Sequence, residues 1–178
     1  MPIIFLTGPR ACGKTTVGRL LAQKLALPFA DTDEYVQYTL GRNVAEVTAA
    51  EGWNFFRARE SAALAEVTFL YGADAGRGAV ISTGGGVVLA PENCRFMREH
   101  GTVFFLSAPA EVLAARLSAR PQSIRRPPLT GGSVSEEAAA VLANRLPLYT
   151  ETAHHCVDAV GPPAKICEIM RKIIDSVG

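Results

Sequence analysis

The sequence predicts an α/β fold built on a parallel sheet, and three observations carry that expectation. A glycine-rich loop, Gly-Pro-Arg-Ala-Cys-Gly-Lys-Thr at residues 8–15, sits between the apolar run Ile3-Ile4-Phe5-Leu6 and a helical pattern. Beyond it, short apolar runs alternate with helical stretches, as βαβ units do. The run Val103-Phe104-Phe105-Leu106 is apolar at every position, as a strand covered on both faces must be. At 178 residues the chain is expected to form one domain, 1–178, with bulk enough for a substantial core.

Strands are expected at 2–7, 28–31, 79–82, 102–106 and 155–158. The loop after the first has the spacing G-x-x-x-x-G-K-[ST]. Gly8 and Gly13 let the chain curl so that consecutive N–H groups point at phosphate oxygens, and the dipole of the next helix adds to that field. Gly8, Pro9, Arg10, Ala11, Cys12, Gly13, Lys14, Thr15 and Thr16 are therefore candidate contacts for a nucleoside triphosphate. Lys14 can reach the β- and γ-phosphates, and the Thr15 hydroxyl can ligate Mg²⁺. A helix over 14–26 places Val17, Leu20, Leu21 and Leu25 on one side.

Asp31-Thr32-Asp33 follows the second strand. In open α/β sheets ligands sit at the carboxyl edge of the strands, which turns these carboxylates toward the phosphate site. One could hold magnesium waters while the other accepts a hydroxyl proton. An N-cap pair is the competing account, since Asp is common at helix starts. Residues 33–72 read as a largely helical insertion, and 69–78 look longer than the fold needs. Within the insertion Arg57-x-x-Glu60 share a helix face. As an exposed ion pair they would contribute little. Facing a cleft, Glu60 would hold the Arg57 fork ready for a planar carboxylate. Arg145, near the end of a later helix, could approach the same place.

Gly84-Gly85-Gly86 comes after the third strand, at the same edge as the phosphate loop. Three bare residues allow close approach of a ligand to backbone, more than a tight turn requires. Residues 120–134 are rich in Pro, Gly and Arg and cannot continue a helix. An Arg-bearing loop between two helices of a nucleotide-binding fold suggests a lid. Ser133-x-x-Glu136 then forms a capping box that starts a helix. The last helix carries Ile166, Ile169, Met170, Ile173, Ile174 and Val177 as a core stripe.

Composition narrows the function. With 18 basic against 17 acidic residues, there is no clustered basic excess for nucleic acid or an anionic membrane. No apolar run approaches the ~20 residues of a membrane span, and no secretory signal is visible, so a cytoplasmic protein is expected. Cys12, Cys94, Cys156 and Cys167 lack metal-ligand spacing and read as free thiols. His100, His154 and His155 read as solvated or partly buried imidazoles.

Taken together, residues 8–16, 31–33, 56–60 (Phe-Arg-x-x-Glu), 84–86, 126–129 (Arg-Pro-x-Leu) and 145–149 (Arg-x-x-x-Tyr) are collinear over nearly the whole chain. The combination resembles the shikimate kinases. That resemblance implies a three-layer P-loop kinase fold: a five-stranded parallel sheet of order 2-3-1-4-5, a helical substrate-binding insertion and a lid loop. It implies ATP and Mg²⁺, and transfer of phosphate to the 3-hydroxyl of shikimate in aromatic amino-acid biosynthesis; a monomer with small-molecule partners is expected. By position it implies that Asp33 binds the reacting hydroxyl and Asp31 the magnesium shell. Arg57 and Arg145 would bind the carboxylate, Glu60 would orient groups of the substrate site, and Gly84, Gly85 and Gly86 would line the ring. Lys14 and Arg126 would stabilise phosphoryl oxygens, Arg126 being preferred to Arg125 because Pro follows it. Arg116 and Pro163 would contact adenine.

Three rivals are weighed against this. A kinase of gluconate or a nucleoside monophosphate would share the loop but not the paired arginines and glycine triplet. A nucleotide switch would carry an N-K-x-D motif, which the sequence lacks. A catalytically dead binding protein sits poorly with intact Lys14, Thr15, Asp31 and Asp33.

Overall fold

In the computed structural model of the protein, which describes residues 3–72, 78–119 and 133–177, the first apolar run becomes β1 (Ile3–Thr7), buried at every position. Its parallel neighbours are β3 (Val80–Ser82) and β4 (Gly101–Ser107), with Phe5 level with Ile81 on one side and Val103 on the other. β2 (Phe29–Asp31) pairs with β3, and β5 (His155–Asp158) pairs with β4. The sheet is thus five parallel strands in the order β2-β3-β1-β4-β5, as the resemblance implied. Each expected strand is present, with ends moved by at most one residue.

Alternation along the strands divides the apolar side chains between two faces. Ile4, Leu6, Val80, Phe104 and Leu106 meet Val17 and Leu21 of α1 (Lys14–Leu25), Leu113 of α5 (Ala110–Ser118) and Ile166, Cys167 and Met170 of α7 (Pro163–Val177). Ile3, Phe5, Ile81, Val103 and Phe105 face the other way, against Leu64 and Val67 of α3 (Val44–Gly72), Met97 of α4 (Pro91–His100) and Tyr149 of α6 (Val134–Thr152). Three layers result, and cover on both faces is why the strands lack a polar side. Ile169, expected in the core stripe of α7, instead stands 39% exposed at its edge.

The expected insertion consists of α2 (Thr32–Leu40) and α3, which share a small core of Val36, Val44, Val47, Phe56 and Ala63. The helix run of α3 is broken at Gly52, where φ is 81°. Phe69–Gly72 complete α3, while 73–77 lie outside the described residues, as does the expected lid with Arg126 up to residue 132. Ser133 caps α6 in the expected box: its hydroxyl accepts from the Glu136 N–H at 3.2 Å, and its own N–H donates to Glu136 Oε2 at 3.0 Å. The helix then continues seven residues past Arg145, through Pro147.

Because all strands run the same way, their carboxyl ends share one edge. Leu6 and Asp31 are both level with Ser82, which brings the connections after β1, β2 and β3 side by side.

Candidate active site

The phosphate loop is built from backbone that few residues tolerate. Gly8 has φ 141°, and a methyl there would lie 2.6 Å from the Leu106 carbonyl oxygen. Ala11 adopts φ 65°, a left-handed conformation that costs about 1 kcal/mol or more for an L-residue. Such strain is held where it shapes a site. Cys12 is buried in the sheet core, which fills space and anchors the loop from beneath. Lys14 is 9% exposed, and its ammonium donates to the Gly8 and Pro9 carbonyls at 2.8 and 2.9 Å, tying the loop's two ends together.

Thr15 and Asp31 meet next to it. The Thr15 hydroxyl donates to Asp31 Oδ2 at 2.7 Å, while Asp31 Oδ1 accepts the Asp33 and Glu34 N–H groups at 3.0 and 3.3 Å. Asp31 thus caps α2 through one oxygen and meets Thr15 of the loop through the other. Asp33 lies in the first turn of α2, with its Oδ1 beside Gly84. Thr16 is exposed on α1.

Arg116 fastens the other flank of the loop. Its guanidinium donates to the Ala11 and Cys12 carbonyls at 3.3 and 3.4 Å and to the Ala159 carbonyl at 2.9 Å. Ala159 follows β5 in the connection to α7, which begins at exposed Pro163. Both expected adenine contacts thus border that connection.

The glycine triplet joins the two halves. A methyl on Gly84 would run into the Glu60 carboxylate and lie 2.8 Å from Asp33 Oδ1, and one on Gly86 would collide with the Arg57 guanidinium. One on Gly85 would lie 3.4 Å from the Arg10 backbone nitrogen and 3.5 Å from the Gly8 carbonyl oxygen, on the phosphate loop itself. From the far side Arg145 donates to the Gly85 carbonyl at 2.9 Å. So Asp33, Arg57, Glu60, Arg145 and the loop converge on three residues of bare backbone.

Arg57 is held from several directions. It pairs with Glu60 at 2.5 Å and lies over the rings of Trp53 and Phe56, 5.2 and 5.5 Å from their centroids. Glu60 is 1% exposed, so this is not the exposed pair that helix spacing alone suggests. A buried carboxylate that lost its guanidinium would carry a severe desolvation cost. The pair therefore locks the fork in place, one edge engaged.

Three contributors have no role assigned from sequence. Thr32, the buried middle of Asp-Thr-Asp, accepts the Gly84 N–H at 3.1 Å. Asn93 of α4 donates to the Val87 carbonyl and the Ser61 hydroxyl, both at 3.0 Å, pinning the turn after the triplet to α3. Tyr149 donates its phenol proton to the Gly85 carbonyl at 2.5 Å. Burial pushes that phenol up to about 12, so it stays a neutral donor at ordinary pH. Thr32 and Tyr149 stood within quoted motifs, Asp-Thr-Asp and Arg-x-x-x-Tyr, without a role of their own; Asn93 acts through contacts that no local pattern encodes.

Chemically, the site offers a curled amide cradle with a lysine, a hydroxyl–carboxylate pair of hard oxygens, and a facing cup with two arginines and two carboxylates. Oxygen donors in small number suit Mg²⁺, which keeps most of its waters.

Comparison with known proteins gives a consistent result. The sequence model of the family described as "Shikimate kinase" matches residues 10–177. Over 169 residues the chain is 54% identical to Shikimate kinase 2 of Dickeya chrysanthemi, covering 94% of each protein. It is 49% identical over 178 residues to the Shikimate kinase of Oleidesulfovibrio alaskensis, covering both completely. Among solved structures, the Shikimate kinase from Acinetobacter baumannii in complex with shikimate superposes with a TM-score of 0.87 at 31% identity, covering 99% of this chain and 94% of that one.

Proposed function

The chain belongs to the shikimate kinase family, and on that premise we infer that it transfers the γ-phosphoryl group of ATP to the 3-hydroxyl of shikimate, giving shikimate 3-phosphate. The observation that carries this reading is the convergence on Gly84–Gly86. One side of the triplet abuts the phosphate loop, and the other abuts a carboxylate-binding arginine and two acidic side chains. A kinase of a small carboxylated polyol needs that juxtaposition.

The chain acts as one kinase domain over 1–178. Arg57 and Arg145 grip the substrate carboxylate, each already anchored by another partner, so little rotamer freedom is lost on binding. Glu60 orients Arg57. Gly84, Gly85 and Gly86 let the ring lie against backbone. Asp33 then receives the 3-hydroxyl, aligns it in line with the γ-phosphate and accepts its proton as the new P–O bond forms. Lys14 swings from its loop carbonyls to the β- and γ-phosphate oxygens and neutralises charge that spreads over the transferred group. Arg126 adds a second cation from the lid segment. Gly8, Pro9, Arg10, Ala11, Cys12, Gly13, Thr15 and Thr16 cradle the phosphates, and Arg116 and Pro163 flank adenine.

Mg²⁺ fits the donors present: the Thr15 hydroxyl and the Asp31 carboxylate, in contact at 2.7 Å, would hold it together with its waters. When bound, the ion screens the β- and γ-phosphate charge. We place the enzyme in the cytoplasm as a monomer.

A coupled ATP-consumption assay across shikimate, gluconate and nucleoside monophosphates tests the assignment. ADP release should depend on shikimate, with the other acceptors near background. Gluconate or a nucleotide turning over as fast as shikimate would replace this reading with that of a related kinase, which identity near half over the full chain disfavours.

A further inference from the structure

We infer that Tyr149 is a positioning residue for the acid-binding side of the cleft: its hydroxyl fixes the Gly85 peptide and, through the shared carbonyl, the Arg145 guanidinium. The inference rests on the activity proposed above.

A buried phenol must find a partner, and most bond whatever lies near. Tyr149 is fully buried and its ring stacks on Phe105 of β4, with centroids 5.1 Å apart and planes 19° from parallel. Packing on the sheet thus sets the ring, and the ring aims the hydroxyl at one carbonyl of the triplet. That carbonyl takes two donors, the Tyr149 hydroxyl at 2.5 Å and Arg145 Nη1 at 2.9 Å, which fills both oxygen lone pairs. The two side chains lie four residues apart on α6 and so share a face.

Two consequences follow. An arginine has five N–H donors in a rigid fork. With one committed to a carbonyl that cannot move, the rest keep a constant direction toward an incoming carboxylate. The peptide unit is planar and trans, so a Gly85 carbonyl drawn toward α6 turns the Gly86 N–H to the opposite side. Three glycines in succession resist little torsion of their own. Thr32 holds the Gly84 end, and at Gly85 the stiffness comes from Tyr149, whose ring is stacked on the sheet. A role in packing alone would need the ring and not its oxygen.

Tyr149→Phe keeps the ring and removes the hydroxyl. In the ligand-free protein, with backbone carbonyls ¹³C-labelled at glycine, the Gly85 resonance should move upfield in the variant while those of glycines remote from the cleft stay put. An unmoved Gly85 resonance would overturn the inference. In steady-state kinetics, KM for shikimate should rise about two- to tenfold, the span of one net hydrogen bond. KM for ATP should change less than twofold. Equal rises in both, or none, would also overturn it. In an Arg145→Ala background, loss of the hydroxyl should add little to KM for the acid; full additivity would remove the route through Arg145. A wild-type chain that fails to turn over shikimate would count against the proposed activity alone, and the carbonyl resonance would still decide the role of Tyr149.

Discussion

At Asp33 the proposed roles of binding and chemistry separate most cleanly. Its neighbour Asp31 already caps α2 and meets Thr15, so Asp33 is not needed to start the helix. Asp33→Asn should leave ATP affinity within about twofold by calorimetry and cut kcat by roughly 10²- to 10⁴-fold, the range for a positioned proton acceptor. Unchanged turnover would remove Asp33 from the reaction. Arg57 makes the opposite prediction. Loss of a charge-assisted bond of about 1.5–3 kcal/mol corresponds to a rise in shikimate KM of roughly 10- to 150-fold in Arg57→Ala, with ATP binding spared. A comparable loss for both substrates would assign Arg57 to folding, because the variant also strands Glu60 in the interior. Gly86→Ala reaches the same guanidinium from the other side: the new methyl has no space while Arg57 stays where it is.

Elements explain which of these features a sequence can display. The strand–loop–helix of residues 3–25 is legible because each part is contiguous: an apolar run, a glycine spacing, a stripe at helical period. The capping box at Ser133 is legible for the same reason, and Ser133→Ala should cost about 1 kcal/mol in a denaturant titration without altering KM for either substrate. The triplet is visible as a motif, but its function is tertiary. Asp33 and Gly84 lie 51 positions apart, and Arg145 reaches Gly85 across 60, so their meeting depends on the register that levels Asp31 with Ser82. The burial of Glu60 belongs to the same class. Helical spacing pairs it with Arg57, but only the triplet and the core around Phe56 decide that the pair is covered. The break at Gly52 is hidden too, because glycine within a helical pattern can be tolerated without a kink.

For the molecule as a whole, the two ends of β4 impose limits on the pH range of stability. Near its start, His154 is stitched to Val103 both ways: its N–H donates to the Val103 carbonyl at 2.8 Å, and its Nδ1 accepts the Val103 N–H at 3.0 Å. An accepting ring nitrogen must be unprotonated. Burial, with the charges of Arg98 and His155 after it, holds the imidazole below its ordinary 6.5. As pH falls through 6.5 the unfolded chain takes up a proton that the folded chain refuses, so this contribution, complete above 6.5, is lost on the acid side. His154→Asn, whose amide oxygen can take the place of Nδ1, should flatten the stability profile on the acid side of 6.5. Near the end of β4, Tyr149 acts with opposite sign. Its pKa rises from 10.0 to about 12 through burial, so the unfolded chain ionises first as pH climbs. Stability complete below 10.0 then declines up to about 12. Two units correspond to about 2–3 kcal/mol. Denaturant midpoints measured for the wild type and Tyr149→Phe should converge above pH 10 as this term drains from the wild type alone. Curves that stay parallel to pH 12 would mean that the phenol ionises freely in the folded chain, and a hydroxyl so accessible could not hold the Gly85 carbonyl still.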